Sequence, residues 1–313
     1  MNLRDLEYLV ALHDHRHFGR AAAASFVSQP TLSTQLRKLE AHLGVELIER
    51  SSRSVIFTAV GEAVVERARR ILSEAEDIET IARQARRPHA GTVRLGLFPT
   101  LGPYLLPHVV PTLHTRFPGL ELLLVEEKTG VLLDRLRAGT LDAAAVALPI
   151  DDEGLHVEPL FREDFVFAEP AGESGATPEG GAAQDPDADT PMRACDLQGE
   201  DLLLLTEGHC LRDQALEICH ATGAAEHAGF RATSLETLRH MVAAGVGATL
   251  LPRLAVSAPA TPNPGIRLRP FEAPAPHRDI ALTWRTSSPY RELLQEVAKV
   301  LRHLPEGLVT PLA

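Results

Sequence analysis

Apolar positions in the first part of the chain are spaced for helices. "FGRAAAASFVSQPTLSTQLRKLEAHLG", Phe18 to Gly44, predicts an alanine-rich helix over residues 20–25, a break at "FVS", and a second helix. Ser28 suits the N-cap of that second helix and Pro30 its first turn. Leu32, Leu36, Leu39 and Leu43 follow at spacings of four, three and four, which makes one apolar stripe, and Gly44 suits the C-terminal cap. A short helix, a tight turn and a second helix form the helix-turn-helix plan. "VELIERSSRSVIFT" then holds two short β-like runs about Ser51 to Ser54, a candidate wing. From Thr58 a long helix begins. Its Val64, Ala68, Ile71, Ala75, Ile78, Ala82 and Ala85 alternate by four and three for three heptads. Charged flanks leave little else apolar, so the seam predicts a two-stranded dimer contact rather than packing within its own domain.

After the Pro/Gly punctuation "RRPHAG" the period changes. Short β-like runs, "TVRLGLF", "LELLLVEE" and "LDAAAVAL", alternate with helical stretches, a pattern of parallel strands and crossover helices. A second set follows in "DFVFAEP", "DLLLLTE", "FRATS" and "GATLLP", while "GIRLRPF" and "RDIALTW" resemble the edge of the first. The fold class is α/β behind an all-α winged helix-turn-helix. Its domains are a DNA-binding head at 1–58, a dimerisation helix at 59–88 and a two-lobed regulatory part at 89–313. Lobe I covers about 91–163 and 269–313, and lobe II about 164–268. A cleft between such lobes, at the strand ends, is where ligands sit in open α/β sheets. "ESGATPEGGAAQDPDADT", residues 173–190, has no hydrophobic pattern and reads as an acidic surface loop.

Charge narrows the partners. The 313 residues carry a net charge of −11, but residues 1–88 hold thirteen Lys+Arg against twelve Asp+Glu. Only this first quarter would not repel a phosphate backbone, so DNA binding belongs there. The second helix offers Gln29, Pro30, Thr31, Ser33, Thr34 and Arg37 on its polar face, and the wing adds Arg50, Ser52 and Arg53. No apolar run is long enough for a transmembrane helix, and the helix-patterned start does not fit a signal peptide. A cytoplasmic protein with no membrane partner is expected, and no cofactor or metal.

Three cysteines form no structural disulfide framework. Cys210 and Cys219 stand nine positions apart in "TEGHCLRDQALEICHATG", a predicted helix, where two thiols cannot bond directly. Bystanders, metal ligands or thiols that must move to react all remain open on spacing alone. A zinc site is poorly supported, because thiol ligands come at closer spacing with a second pair. Cys210 falls at the start of its helix, where the dipole, His209 and Arg212 are expected to favour the thiolate. Cys219 shares a face with Ala215, Leu216 and Ile218, which predicts burial and a quiet thiol. Cys195, beside the acidic loop, reads as a bystander, and the "HDHRHF" histidines as solvated.

The stretch from Leu6 to Gly61, with "FGRAAAASFVSQPTLSTQLRKLEAHLGVELIER" and "FTAVG", resembles the LysR-type transcriptional regulators. The remainder resembles their periplasmic-binding-protein-like effector domain. "GLFPTLGPYLLPH", "GHCLRDQA" and "FRATSLETLRHMVAAG" resemble its hydrogen-peroxide-sensing branch, a likeness that extends to about Trp284 apart from the acidic insertion. The resemblance implies a homotetramer, a dimer of dimers, bound to a promoter operator in double-stranded DNA. It also implies activation of antioxidant genes through RNA polymerase when oxidised, and resetting by a thiol reductant. The family's peroxidatic cysteine falls on Cys210 and its resolving cysteine on Cys219. Its peroxide pocket falls on Thr100, Thr129 and His209, with Arg212 and Asp213 beside them. Where the family has a histidine before the phenylalanine of "FRATS", this chain has Gly229, with His227 two residues earlier.

In a regular helix nine residues rise about 13.5 Å, whereas a disulfide spans roughly 4.4–6.8 Å between Cα atoms. The implied pairing therefore requires the segment to unwind. Two other readings stand beside it: a regulator whose cleft takes a small organic effector, and a thiol peroxidase with a vestigial DNA-binding head. A sensor rather than an enzyme is expected.

Overall fold

Why the chain folds as it does is clearest at its helix ends. The computed structural model describes residues 1–49, 55–86, 90–171 and 191–312, and the side chains at 84 and 85 are not among them. Helix α1 (Leu3–His15) opens on a capping box in which Asn2 and Asp5 each accept the other's backbone N–H. Helix α2 (Phe18–Ala24) starts two residues earlier than the alanine run suggests, because His17 Nδ1 accepts from Arg20 N and caps it. Helix α3 (Gln29–Leu43) begins where Ser28 Oγ accepts from Thr31 N and ends on Gly44 at φ 72°. Leu32, Leu36 and Leu39 are buried with Leu9, Leu12, Ala21 and Ala22, while Leu43, in the last turn, is exposed.

Strands β1 (Ile48–Glu49) and β2 (Ile56–Phe57) pair antiparallel, the base of the predicted wing. Glu40 Oε1 accepts from Leu47 N and Ile48 N and so ties that base to α3. Arg50, Ser52 and Arg53 lie outside the described residues. Helix α4 (Ala59–Arg86) fills the predicted long helix. Its seam divides. Val64 packs on the core of the head and Ala68 is 1% exposed, because the first turns of α4 complete that core. Ile71 and Ile78 stand 42% and 69% exposed, with Ala75 half-buried. The predicted dimer face therefore excludes Ala68 and starts beyond it.

The chain divides into two compact units, residues 1–88 with 135–141, and 89–134 with 142–313. The second unit is built from β3 (Gly91–Leu97), α5 (Gly102–Arg116), β4 (Leu120–Glu126), α6 (Thr129–Arg137, its last three residues counted with the first unit) and β5 (Ala143–Ala147), then the sixteen-residue β6 (Leu155–Pro170). There follow β7 (Asp201–Leu205), α7 (Cys210–Thr222), β8 (Ala225–Ala232), α8 (Leu235–Ala243), β9 (Thr249–Pro252) and the one-turn α9 (Arg253–Val256). Strands β10 (Ile266–Pro270) and β11 (His277–Arg285), helix α10 (Arg291–Arg302) and β12 (Thr310–Pro311) complete it.

Strands β4, β3 and β5 are parallel, as the strand–helix alternation predicts, and β11 joins β5 antiparallel. Strand β6 serves both lobes. Its residues 155–164 pair with β11, and its residues 165–170 pair with β9 and β10. This corrects the grouping of "GIRLRPF" with the first set: β10 lies along the second half of β6, because that half offers the free edge opposite β9. Strands β7 and β8 pair parallel in a small sheet of their own, flanked by α7 and α8.

At the passage between the lobes, Glu163 on β6 and Arg278 on β11 are register partners, and both side chains are fully buried. Arg278 Nε donates to Glu163 Oε2 at 2.8 Å, and Glu163 Oε1 accepts from Leu254 N at 2.8 Å. Arg278 Nη1 and Nη2 donate to Thr100 Oγ1 and O at 3.1 and 2.9 Å, and the guanidinium lies 5.2 Å from the Phe98 ring centroid. A buried ion pair is tolerated only when its remaining polar atoms are bonded, as here, and removing one partner leaves a charge in a dry site. Arg278→Met is therefore expected to cost about 3–5 kcal/mol in denaturant unfolding. The Glu163→Gln/Arg278→Met double variant should recover most of that loss. A single-variant cost below about 1 kcal/mol would show that the pair is not what joins these strands.

Candidate functional site

Thr100, Thr129 and Cys210 come from three separate elements. Thr100 follows β3 and is 2% exposed, held by both Arg278 contacts. Thr129 opens α6, and its Oγ1 is buried with no hydrogen bond of normal geometry. Cys210 is the first residue of α7, half-buried, with His209 at the N-cap position making no side-chain cap. Gly208 precedes it at φ 84°, with Lys128 Nζ 3.0 Å from where a Cβ would stand, and Lys128 donates to Glu207 O at 2.7 Å.

The electrostatics differ from the sequence expectation. Burial pushes the Cys210 thiol up, and the Arg278 charge opposes that rise. The Thr129 hydroxyl and the Leu211 N–H also favour the thiolate, while the Asp213 carboxylate works against it. The Thr129 hydroxyl does so without forming a regular hydrogen bond. His209 is buried; burial first, and the Lys128 charge second, hold its imidazole below the ordinary value, so near neutral pH it is uncharged. Asp213 is exposed.

Arg212, expected at the pocket, is turned elsewhere. Its Nη1 and Nη2 donate to Glu226 Oε1 and Oε2 at 2.8 and 2.9 Å, and Nη1 also donates to Leu205 O at 3.1 Å. It fastens α7 to the β7–β8 sheet, because the Glu226 carboxylate on β8 accepts both ends of a guanidinium leaving the buried face of the helix. The cation acting on Cys210 is Arg278, which sequence reasoning missed. The arginine that opens "RDIALTW", a stretch read as a strand of the regulatory sheet, was the available signal, since a charge in a buried strand requires a partner.

Cys219 is 2% exposed on the same helix, which runs unbroken from Cys210 to Thr222 and closes on Gly223 at φ 81°. Burial raises its thiol as well. Cys195, Cys210 and Cys219 are all free thiols. Cys195 is exposed on a 3₁₀ turn (Ala194–Leu197), where its Sγ donates to Asp196 Oδ1 at 3.8 Å. Strand β8 bulges after Glu226: Glu226 faces Leu202 and Arg231 faces Leu204, so residues 227–230 loop out. Gly229 there has φ 98° with open space around it, a backbone state that a histidine would adopt only under strain. His227 Nδ1 is buried and unbonded.

In the head, Gln29, Pro30, Thr31, Thr34 and Arg37 are exposed and Ser33 is half-buried, so α3 presents its polar face outward. His13 Nε2 meets Glu62 Oε2 at 2.8 Å, and His17 caps α2, which gives two of the "HDHRHF" histidines structural partners. Among the described residues no His, Cys, Asp or Glu cluster is arranged to hold a metal, and no helix is long and apolar enough to cross a membrane.

Comparison with known families and proteins agrees with this architecture. The model "Bacterial regulatory helix-turn-helix protein, lysR family" matches residues 3–62, and "LysR substrate binding domain" matches residues 86–305. The chain is 48% identical over 307 residues to the DNA-binding transcriptional dual regulator OxyR of Escherichia coli K12, covering 98% of this chain and 97% of the relative. It is 46% identical over 313 residues to the hydrogen peroxide-inducible genes activator of Pectobacterium carotovorum subsp. carotovorum, covering 100% of each. A full-length cysteine variant of Pseudomonas aeruginosa OxyR superposes with a TM-score of 0.77 at 39% identity, covering 97% of this chain and 96% of that one. A peroxide-bound cysteine mutant of Corynebacterium glutamicum OxyR gives 0.62 at 35% identity, over 96% and 91%. With both of its parts matched and relatives aligned along its whole length, the chain belongs to the LysR family of bacterial regulatory helix-turn-helix proteins, where it is similar to the OxyR proteins.

Proposed function

We propose that this protein is a peroxide-sensing, DNA-binding transcriptional regulator that senses through Cys210 and Cys219. The observation that carries the reading is one half-buried thiol at the start of an intact helix, faced by Arg278 and Thr129, with a second, buried thiol nine residues along it. Thr100 and Thr129 supply hydroxyls for a peroxide at the thiol. The Cys210 thiolate attacks one peroxide oxygen, the O–O bond breaks, and hydroxide leaves as water once protonated, with sulfenic acid on Cys210. The Cys219 sulfur then displaces that hydroxyl as a second water and forms the disulfide. Two thiols are oxidised and one peroxide is reduced.

With α7 intact the two Cα atoms stand about 13.5 Å apart, beyond disulfide reach, so the second step follows unwinding of α7. Two features favour unwinding: the helix has no side-chain N-cap, and Gln214 Oε1 is buried and unbonded. The Arg212–Glu226 fork opposes it. Loss of α7 repacks the second lobe and, in a homotetramer built as a dimer of dimers, re-poses the paired heads on an operator in double-stranded DNA. Exposed Ile71 and Ile78 on α4 support the dimer contact. Gln29, Pro30, Thr31, Ser33, Thr34 and Arg37, with Arg50, Ser52 and Arg53 of the wing, form the DNA surface. RNA polymerase is the downstream partner, a cellular thiol reductant resets the pair, and the cytoplasm is the compartment. Peroxide is a signal here rather than a substrate for turnover.

Mass-spectrometric mapping after one equivalent of peroxide should find Cys210 joined to Cys219. Cys210 joined to Cys195, or merely overoxidised, would refute the pairing. Cys210→Ser should abolish peroxide induction of a reporter, whereas a regulator answering to an organic effector in the cleft would be unaffected.

Because burial raises the Cys210 thiol, most of it is protonated near neutral pH. The rate of sulfenic acid formation should then climb about tenfold per pH unit from pH 6.5 to beyond about 8.5, the value for a free cysteine. A plateau below about pH 7.5 would contradict the raised thiol. Thr129→Val removes a hydroxyl that favours the thiolate and makes no regular hydrogen bond. Oxidation should slow by about tenfold, with thermal stability unchanged to within about 0.5 kcal/mol.

A further inference from the structure

The break "FVS" between α2 and α3 holds a residue that works against the stability of its own turn. Val27 N donates to Ala22 O at 3.0 Å and Phe26 N donates to Ala23 O at 3.1 Å, the paired bonds of a Schellman motif closing α2. Phe26 therefore occupies the position just beyond the cap, where the backbone is left-handed (φ 55°) and glycine or asparagine is favoured. It is one of only two non-glycine residues with positive φ among the described residues. It is also 93% exposed, while the smaller Val27 beside it packs on the core of the head. A bulky aromatic in a left-handed conformation and in water is doubly unfavourable, and such strain concentrates at binding surfaces.

Its position indicates which surface. Phe26 stands two residues before Ser28, whose side chain caps α3, and three before Gln29, the first residue of that helix. In helix-turn-helix proteins this end of the second helix enters the major groove. Every candidate DNA contact on α3 except Pro30 is polar, whereas reading thymine also uses apolar contact with its methyl group. We propose that Phe26 is a DNA-contacting residue, making apolar contact at the groove edge with a deoxyribose or with a thymine methyl, in which case it also determines specificity. The proposal rests on the DNA-binding reading of the head.

The test uses the full-length chain and a duplex that the wild type selects from a random-sequence pool. If the wild type selects none, the DNA-binding reading itself fails; the remaining outcomes bear on Phe26. Phe26→Gly and Phe26→Asn relieve the backbone, so the melting temperature should hold or rise by about 2–4 °C. Affinity for the selected duplex should fall by about five- to tenfold, with the dependence of log K on log salt unchanged, because no phosphate contact is lost. Replacing thymines by deoxyuridine separates the two apolar sources. A methyl contact predicts that this weakens the wild type at one position and leaves the variants unaffected; a sugar contact predicts no such difference. Unchanged affinity in both variants overturns the proposal, and a loss of transcription alone would reassign Phe26 to a protein contact. Weaker binding accompanied by a lower melting temperature in both variants would also overturn it, as a purely structural effect.

Discussion

The regulatory part is organised around one buried ion pair. Glu163 and Arg278 face each other across β6 and β11 where β6 passes from one lobe to the other, and water reaches neither. Desolvation makes such a pair costly unless each remaining polar atom is bonded, and Leu254 N and Thr100 complete the set. Four segments are thereby held at one point: the turn after β3, β6, β11 and the start of α9. The same guanidinium is the cation that opposes the rise of the Cys210 thiol. A single charge thus helps hold the fold together and tunes the candidate reactive sulfur, so this charge cannot be removed without straining the scaffold.

Around that point the segment from Cys210 to Cys219 is balanced rather than locked. Arg212 forks onto Glu226 and bonds Leu205 O, which anchors the helix to its sheet. Against this, the helix begins without a side-chain cap and buries an unbonded Gln214 oxygen. Such local deficits place an element at the low end of a molecule's internal stability, where switching elements are found. The burial that quiets Cys210 and Cys219 in the intact helix is lost if the helix melts, which couples thiol chemistry to conformation.

The head follows a different logic. Its core of leucines and small alanines is closed by the first turns of α4, which is why Ala68 turns inward while Ile71 and Ile78 remain outside. The polar face of α3 is left free by the same packing, and the one large apolar side chain standing clear of it in the turn is Phe26.

Much of this was legible in the chain because it depends on neighbours within a turn of helix. The cap at Ser28, the leucine stripe, the glycine stop at Gly44, the start of α7 at Cys210 and the burial of Cys219 all follow from local spacing and side-chain chemistry. Recognition of the family added Thr100 and Thr129, which no local rule would have connected. What the sequence could not supply were partners chosen across the fold. Arg278 reaches Thr100 and Glu163 only because β11 pairs with β6 in one register, and Arg212 is drawn to Glu226 only because β8 lies beside α7. The direction of the Cys210 shift turns on the same point. Helix position and nearby cations argue locally for a thiolate, but desolvation is a property of the assembled interior, and here it outweighs them.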